Sequence, residues 1–139
     1  MKSIIIFVVR IALGVLLVYG GVTKFVPKAP KAESSVVKQD LPDHVVKIKA
    51  LIGGMKQSGY FWPFLGVSEI LCGLFLISQV FSLMGAVMSV PITLNIFLFH
   101  AFLEPHEVGE LMMTGLYLGA NLCLLAYDYP KLKLIFLSK

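Results

Sequence analysis

The chain has 139 residues, which is about one ordinary domain. Of these, 58% are apolar and 14% charged, with a mean hydropathy of +0.86, against roughly 25% charged in an average soluble domain. A soluble chain this small cannot hide so much apolar surface, so a cytosolic enzyme, a secreted disulfide domain, a disordered chain and a nucleic-acid binder all fit poorly.

The charges are unevenly placed. Of the 20 Asp, Glu, Lys and Arg residues, 18 lie at Lys2, in 24–56, in 104–110 or in 128–139. The long apolar stretches hold the other two, Arg10 and Glu69. That distribution indicates a polytopic, all-α membrane protein. The net charge of +4 is mostly local, because residues 24–56 carry seven Lys against Glu33, Asp40 and Asp43. A Lys-rich segment between spans meets lipid headgroups more readily than nucleic acid. Cys72 and Cys123 sit in separate apolar runs without CxxC spacing and read as plain buried thiols.

A membrane-crossing helix needs about 20 mostly apolar residues. The first span is expected over 3–23, broken only by Arg10. Its apolar run is longer than a signal-peptide core, and no small-x-small cleavage site follows. Residues 24–60 form the large loop. Within it, 27–42 read as an extended Pro- and Lys-containing linker. Residues 43–58 set Val45, Ile48, Leu51, Ile52 and Met55 on one face, which predicts an amphipathic helix. It lies either in the membrane interface or over the bundle mouth as a lid. Tyr60, Phe61 and Trp62 form an aromatic belt.

The long apolar run that follows holds one charge, Glu69, and is divided at Ser78, Gln79 and Ser82 into spans over 61–80 and 82–103. The short turn predicts an antiparallel hairpin, and Pro91 predicts a kink. The fourth span is expected over 110–127, ending before Tyr129-Pro130. The expected architecture is a four-transmembrane-helix bundle with both termini on one side, forming a single domain over 1–139. The loop side carries seven Lys against Lys2, Lys131, Lys133 and Lys139 on the side of the termini, which weakly favours a cytoplasmic loop; long loops dilute that rule, and the orientation stays open.

Between helices in a bilayer, small and polar residues mark the packing faces. Arg10, Gly14, Leu17, Gly21 and Lys24 share one face of the first helix, and Trp62, Gly66, Glu69, Gly73 and Leu76 one face of the second. Thr114, Tyr117 and Asn121 share a stripe of the fourth. At about 1.5 Å rise per residue, Arg10 and Asn121 lie near one depth, and Glu69, Asn95 and Tyr117 near another. Lys24 falls at the loop surface. An ionised carboxylate in the bilayer must be paired, protonated or in a wet cavity. For Glu69, Arg10 and Lys24 are equal candidates as counter-ion, with Asn95 or Tyr117 favoured over both as hydrogen-bond partner. The polar interior is either a clamp fixing helix register or a ligand or proton site. His100 lies on a stripe with Ser89, Thr93 and Glu104. Without HxxH, ExxH or HExxH spacing, metal and haem are disfavoured.

Gly59-Tyr60-Phe61, Glu69, Gly73 and the run Val90-Pro91-x-x-x-Asn95-Ile96-Phe97-x-Phe99-His100-x-Phe102-Leu103-x-Pro105 resemble the DoxX family of small bacterial membrane proteins. Arg10, Leu13-Gly14, Gly20-Gly21, Lys24-Phe25 and Pro27 extend the resemblance through the first helix. It implies a four-helix bundle with Arg10, Glu69, Asn95 and His100 as signature positions, in a bacterial inner membrane. Association with redox and thiol-stress partners, and with quinone-linked thiosulfate oxidation, is implied in the same way. Asp128 departs from the basic residue expected after the last tyrosines.

Three functions follow as expectations. The first is a non-catalytic accessory or assembly subunit for a membrane-associated redox partner. The second is a subunit binding quinone or another hydrophobic ligand through Glu69, Asn95 and His100. The third is proton-coupled transport, which needs more helices or a homo-oligomer. Arg10, Lys24, Tyr117 and Asn121 complete the expected polar interior. No cofactor other than quinone is indicated, and the lipid bilayer is the expected partner.

Overall fold

A computed structural model describes residues 1–27 and 41–137. Most of the linker expected over 27–42 lies outside the described residues. The rest is helical, without a strand among the described residues: α1 (Lys2–Thr23), α2 (Asp43–Gln57), α3 (Phe61–Ile77), α4 (Ser82–Leu103), α5 (Val108–Tyr127) and α6 (Tyr129–Phe136). Around the molecule α1 packs on α3, α3 on α4, α4 on α5, and α5 returns to α1. Helices α1, α4 and α5 are each long and apolar enough to cross a membrane. Helix α3 makes a fourth candidate when counted with α2, from which it bends by 89°. The chain is an all-α polytopic membrane protein. Its outward faces are apolar, with Phe7, Val15, Phe64, Leu74, Phe102 and Leu116 exposed. These are the faces that meet lipid.

Glycine sets the closest helix pair. A methyl carbon on Gly73 would lie 2.5 Å from the Gly14 carbonyl oxygen, and one on Gly14 2.8 Å from that of Gly73. One heptad along, Gly21 and Gly66 repeat the arrangement, at 2.5 Å and 3.1 Å. The two backbones therefore touch in antiparallel register, as small residues allow in lipid, where no hydrophobic force drives helices together. Gly85 brings α4 equally close to α3, beside Cys72 and Leu76. The buried core is small: Leu13, Leu17, Cys72, Leu76, Ala86 and Leu124. Cys123, expected to be buried, faces outward instead.

The junctions explain the differences from the expected boundaries. Helix α3 stops at Ile77 rather than residue 80, because Gln79 takes φ 60° and cannot continue it. Ser58 and Gly59 make the sharp α2–α3 corner. Gly59 adopts φ +77°, and Ser58 Oγ accepts from Phe61 N at 3.1 Å. The fourth expected span begins two residues early, at Val108, with Glu110 in its first turn, where a carboxylate complements the helix dipole. Pro130 does not end the helical structure; it sits in the first turn of α6, where its missing N–H costs nothing. Pro91 lies within an unbroken α4. Just before it, Asn121 braces the backbone. In the amide orientation that suits its neighbours, Nδ2 donates to Ala86 O at 3.1 Å and Oδ1 accepts from Val90 N at 3.2 Å.

Helix α2 lies across one end, with Ile52 and Met55 turned inward and Val46 and Leu51 exposed. Its inward residues pack over α3 and α4, as the lid placement expects.

The glycine contacts carry a test. Gly14→Ala should lower stability by about 1–3 kcal/mol through overpacking. Gly119→Ala, with nothing within 4 Å of the new carbon, should raise it by up to about 1 kcal/mol through helix propensity. Trp62 fluorescence melting in detergent reads both, and changes of the same sign would contradict the packing account.

Candidate functional site

Two polar centres lie at opposite ends of the packed helices. At the α2 end, Lys24 caps the last turn of α1, where an ammonium complements the helix dipole. Its Nζ donates to Glu69 Oε2 at 2.5 Å and to Gly20 O at 3.2 Å. It also lies 5.6 Å from the centre of the Trp62 ring, whose Nε1–H donates to Lys24 O at 3.2 Å. Lys56 of α2 sits 5.1 Å from the same ring. Glu69 is 3% exposed, so its charge is matched by a single nearby ammonium rather than by water. Glu69, the Gly20 carbonyl and the Trp62 ring together hold the ammonium.

Around this pair is a chamber of about 450 Å³, lined by Gly20 and Lys24 of α1, Trp62, Leu65 and Glu69 of α3, and Ile92, Asn95, Ile96, Phe99 and His100 of α4. Ile52 and Met55 of α2 roof it. The His100 ring faces Glu104 one turn on, with Nδ1 3.0 Å from its carboxylate. The contact is not aligned as a hydrogen bond, and the nitrogen is closed off by the protein with the Glu104 carboxylate as its charged neighbour. Asn95 lines the same chamber from the exposed side of α4, and no described protein group hydrogen-bonds its amide. A second chamber of about 280 Å³ lies between α1 and α5, with Leu17, Tyr19, Thr93 and Tyr117 on its walls. Gly20, Glu69 and Ile96 line both chambers and form the partition between them.

At the other end, Arg10 joins two junctions, the α3–α4 turn and the α5–α6 corner. Its Nη2 donates to Asp128 at 2.5 Å and Nη1 to Gln79 Oε1 at 3.3 Å. Gln79 Nε2 in turn donates to Leu76 O at 3.2 Å. These bonds hold the left-handed Gln79, a conformation that costs of order 1–3 kcal/mol for a residue other than glycine. Asp128 is 3% exposed and links α5 to α6.

The structure thus gathers Lys24, Glu69, Asn95 and His100 around one chamber and Tyr117 at the adjoining one. Arg10 and Asn121 lie apart from both. Three expectations are corrected. Neither Asn95 nor Tyr117 bonds Glu69, because Lys24 does. Arg10 is not its counter-ion, because helical side chains lean toward their own N-terminus and Arg10 reaches the α6 end. The Lys24 stem spans the depth that separated it from Glu69, once the glycines have drawn α1 against α3. Sequence reasoning missed Asp128 and Gln79 as partners of Arg10. A lone span arginine demands an acid at its own depth, and that requirement was the available signal.

The chemistry here is that of a neutralised site. Two charges cancel, while the Asn95 amide has no described protein partner and the His100 ring lines the same wall. Among the described residues, no group of three His, Cys, Asp or Glu could hold a metal.

Breaking a buried pair should cost more than removing it. Lys24→Met or Glu69→Leu alone should destabilise by about 3–5 kcal/mol, and the double variant by clearly less than the sum. Thermal unfolding of the four proteins measures the coupling; strict additivity would mean that the two charges do not interact.

No curated protein and no solved structure gave a match to this chain. The DoxX family model matches residues 5–101, which include α1, the α2 lid, α3 and most of α4, and with them Lys24, Glu69, Asn95 and His100. The chain belongs to the DoxX family.

Proposed function

We propose that this protein is a non-catalytic membrane subunit that holds a small, neutral, largely apolar molecule of the quinone class in the chamber beneath α2. We further propose that it serves a membrane-associated redox partner. All four long helices cross a bacterial cell membrane in this reading, with both termini on one side. The observation that carries it is the pairing of Lys24 with Glu69 beside the Asn95 amide, which no described group engages, and the His100 ring in the same wall. A charged ligand would have to displace an existing ion pair. A quinone or quinol ring needs only to meet an amide and an imidazole, with its apolar body against Ile92, Ile96 and Phe99. Apolar pockets with a few convergent polar groups are the usual form of such sites.

Trp62, the sole tryptophan, lines the chamber and reports on it directly. Titrating the detergent-solubilised protein with a short-chain quinone should quench its fluorescence saturably. His100→Phe and Asn95→Leu should each weaken binding by up to about tenfold, the scale of one hydrogen bond. Non-saturating quenching in the wild type, or unchanged affinity in both variants, would sink the reading. A redox partner that co-purifies with the wild type would support the subunit role, and no such partner under mild extraction would count against it.

A further inference from the structure

We propose that the α6 end carries a binding site for an anionic phospholipid, independent of the chamber beneath α2. Helix α6 stands off from α4 and leaves an apolar groove on each flank, of about 440 Å³ and 470 Å³. Leu132 and Phe136, one turn apart, line both grooves and form the ridge between them, facing Val87 of α4. Helical spacing repeats one pattern on each side. On the first flank Lys133 is followed one turn on by Leu137; on the other Lys131 is followed by Ile135. Each groove therefore has an ammonium at one level and apolar wall along its length, which matches an amphiphile with an anionic head.

The charge balance of this end favours that occupant. Among the described residues, Lys2, Lys131 and Lys133 stand here with one acid, Asp128. Asp128 is buried and already matched by Arg10. Lys131 Nζ lies 3.5 Å from its other oxygen, but the lysine side chain is 73% exposed and keeps its remaining directions open. The other acids of the described chain, Asp43, Glu69, Glu104, Glu107 and Glu110, lie on α2, α3, α5 and the α4–α5 junction. Leu134, Ile135, Phe136 and Leu137 are all largely exposed, an unusual face for water but a suitable one for the headgroup–acyl boundary. Lysines near an anionic leaflet gain from its surface potential, whereas zwitterionic lipid offers no such attraction.

The test is native mass spectrometry of the full chain in mild detergent doped with equal amounts of phosphatidylglycerol and phosphatidylcholine. The wild type should carry phosphatidylglycerol adducts in excess by about thirtyfold, the scale expected for two lysines at an anionic surface. Lys131→Gln with Lys133→Gln should abolish the excess, while Lys131→Arg with Lys133→Arg keeps it. Lys47→Gln with Lys49→Gln, on the exposed face of α2, should change nothing. Equal adducts of the two lipids in the wild type would overturn the proposal. So would the same loss in the α2 pair, which would mean general basic charge rather than a site. Trp62 melting confirms that each variant is folded, and quinone titration of the α6 variants should match the wild type.

Discussion

Contact between the backbones of α1 and α3 is the constraint on which the rest depends. Gly14 against Gly73 and Gly21 against Gly66 leave no room for a side chain between the helices. The axes are therefore closer than ordinary residues allow, and the register is fixed over two heptads. Lys24 lies one turn past Gly21, while Glu69 lies one turn from Gly66 back toward Gly73, at the level of Gly20, and the lysine stem folds back over the Gly20 carbonyl to reach it. Their salt bridge follows from the glycine contact. So does the partition between the two chambers, because Gly20 and Glu69 are held face to face across it.

Helix α1 supplies a cation to each end of the molecule. Lys24 ties it to α3, while Arg10 ties it to the α3–α4 turn and the α5–α6 junction. In lipid, an unpaired charge costs several kcal/mol, so each pair penalises any arrangement that separates its partners. Two such pairs, some 21 Å apart along the helix by its rise per residue, fix both the tilt and the rotation of α1. Apolar packing alone does neither well, because the buried core amounts to a handful of side chains.

Much of this was legible in the sequence because glycine and charge are scarce and periodic. The stripes through Gly14–Gly21 and Gly66–Gly73 identified the touching faces, and the isolation of Glu69 identified the polar interior. What was not legible depended on depth and on junction geometry. Helical rise places a residue to within a turn, but a lysine stem can cover that error, so Lys24 and Arg10 looked equivalent as partners for Glu69. Asp128 read as a loop charge because Pro130 read as a stop. Proline in a first helical turn is no stop, and the small helix that it opens buries the carboxylate.

The chambers on either side of Glu69 open sideways. Asn95 and Pro91 are exposed at the mouth of one, and Leu16 and Tyr19 at the mouth of the other. In the four-span arrangement proposed above, both mouths look toward acyl chains and α2 roofs the end toward water. A molecule entering by these routes approaches from the membrane itself, where apolar compounds are already concentrated by partitioning. Occupancy would then follow the compound's mole fraction in the bilayer rather than its concentration in water. Weak intrinsic affinity would suffice to keep the site filled.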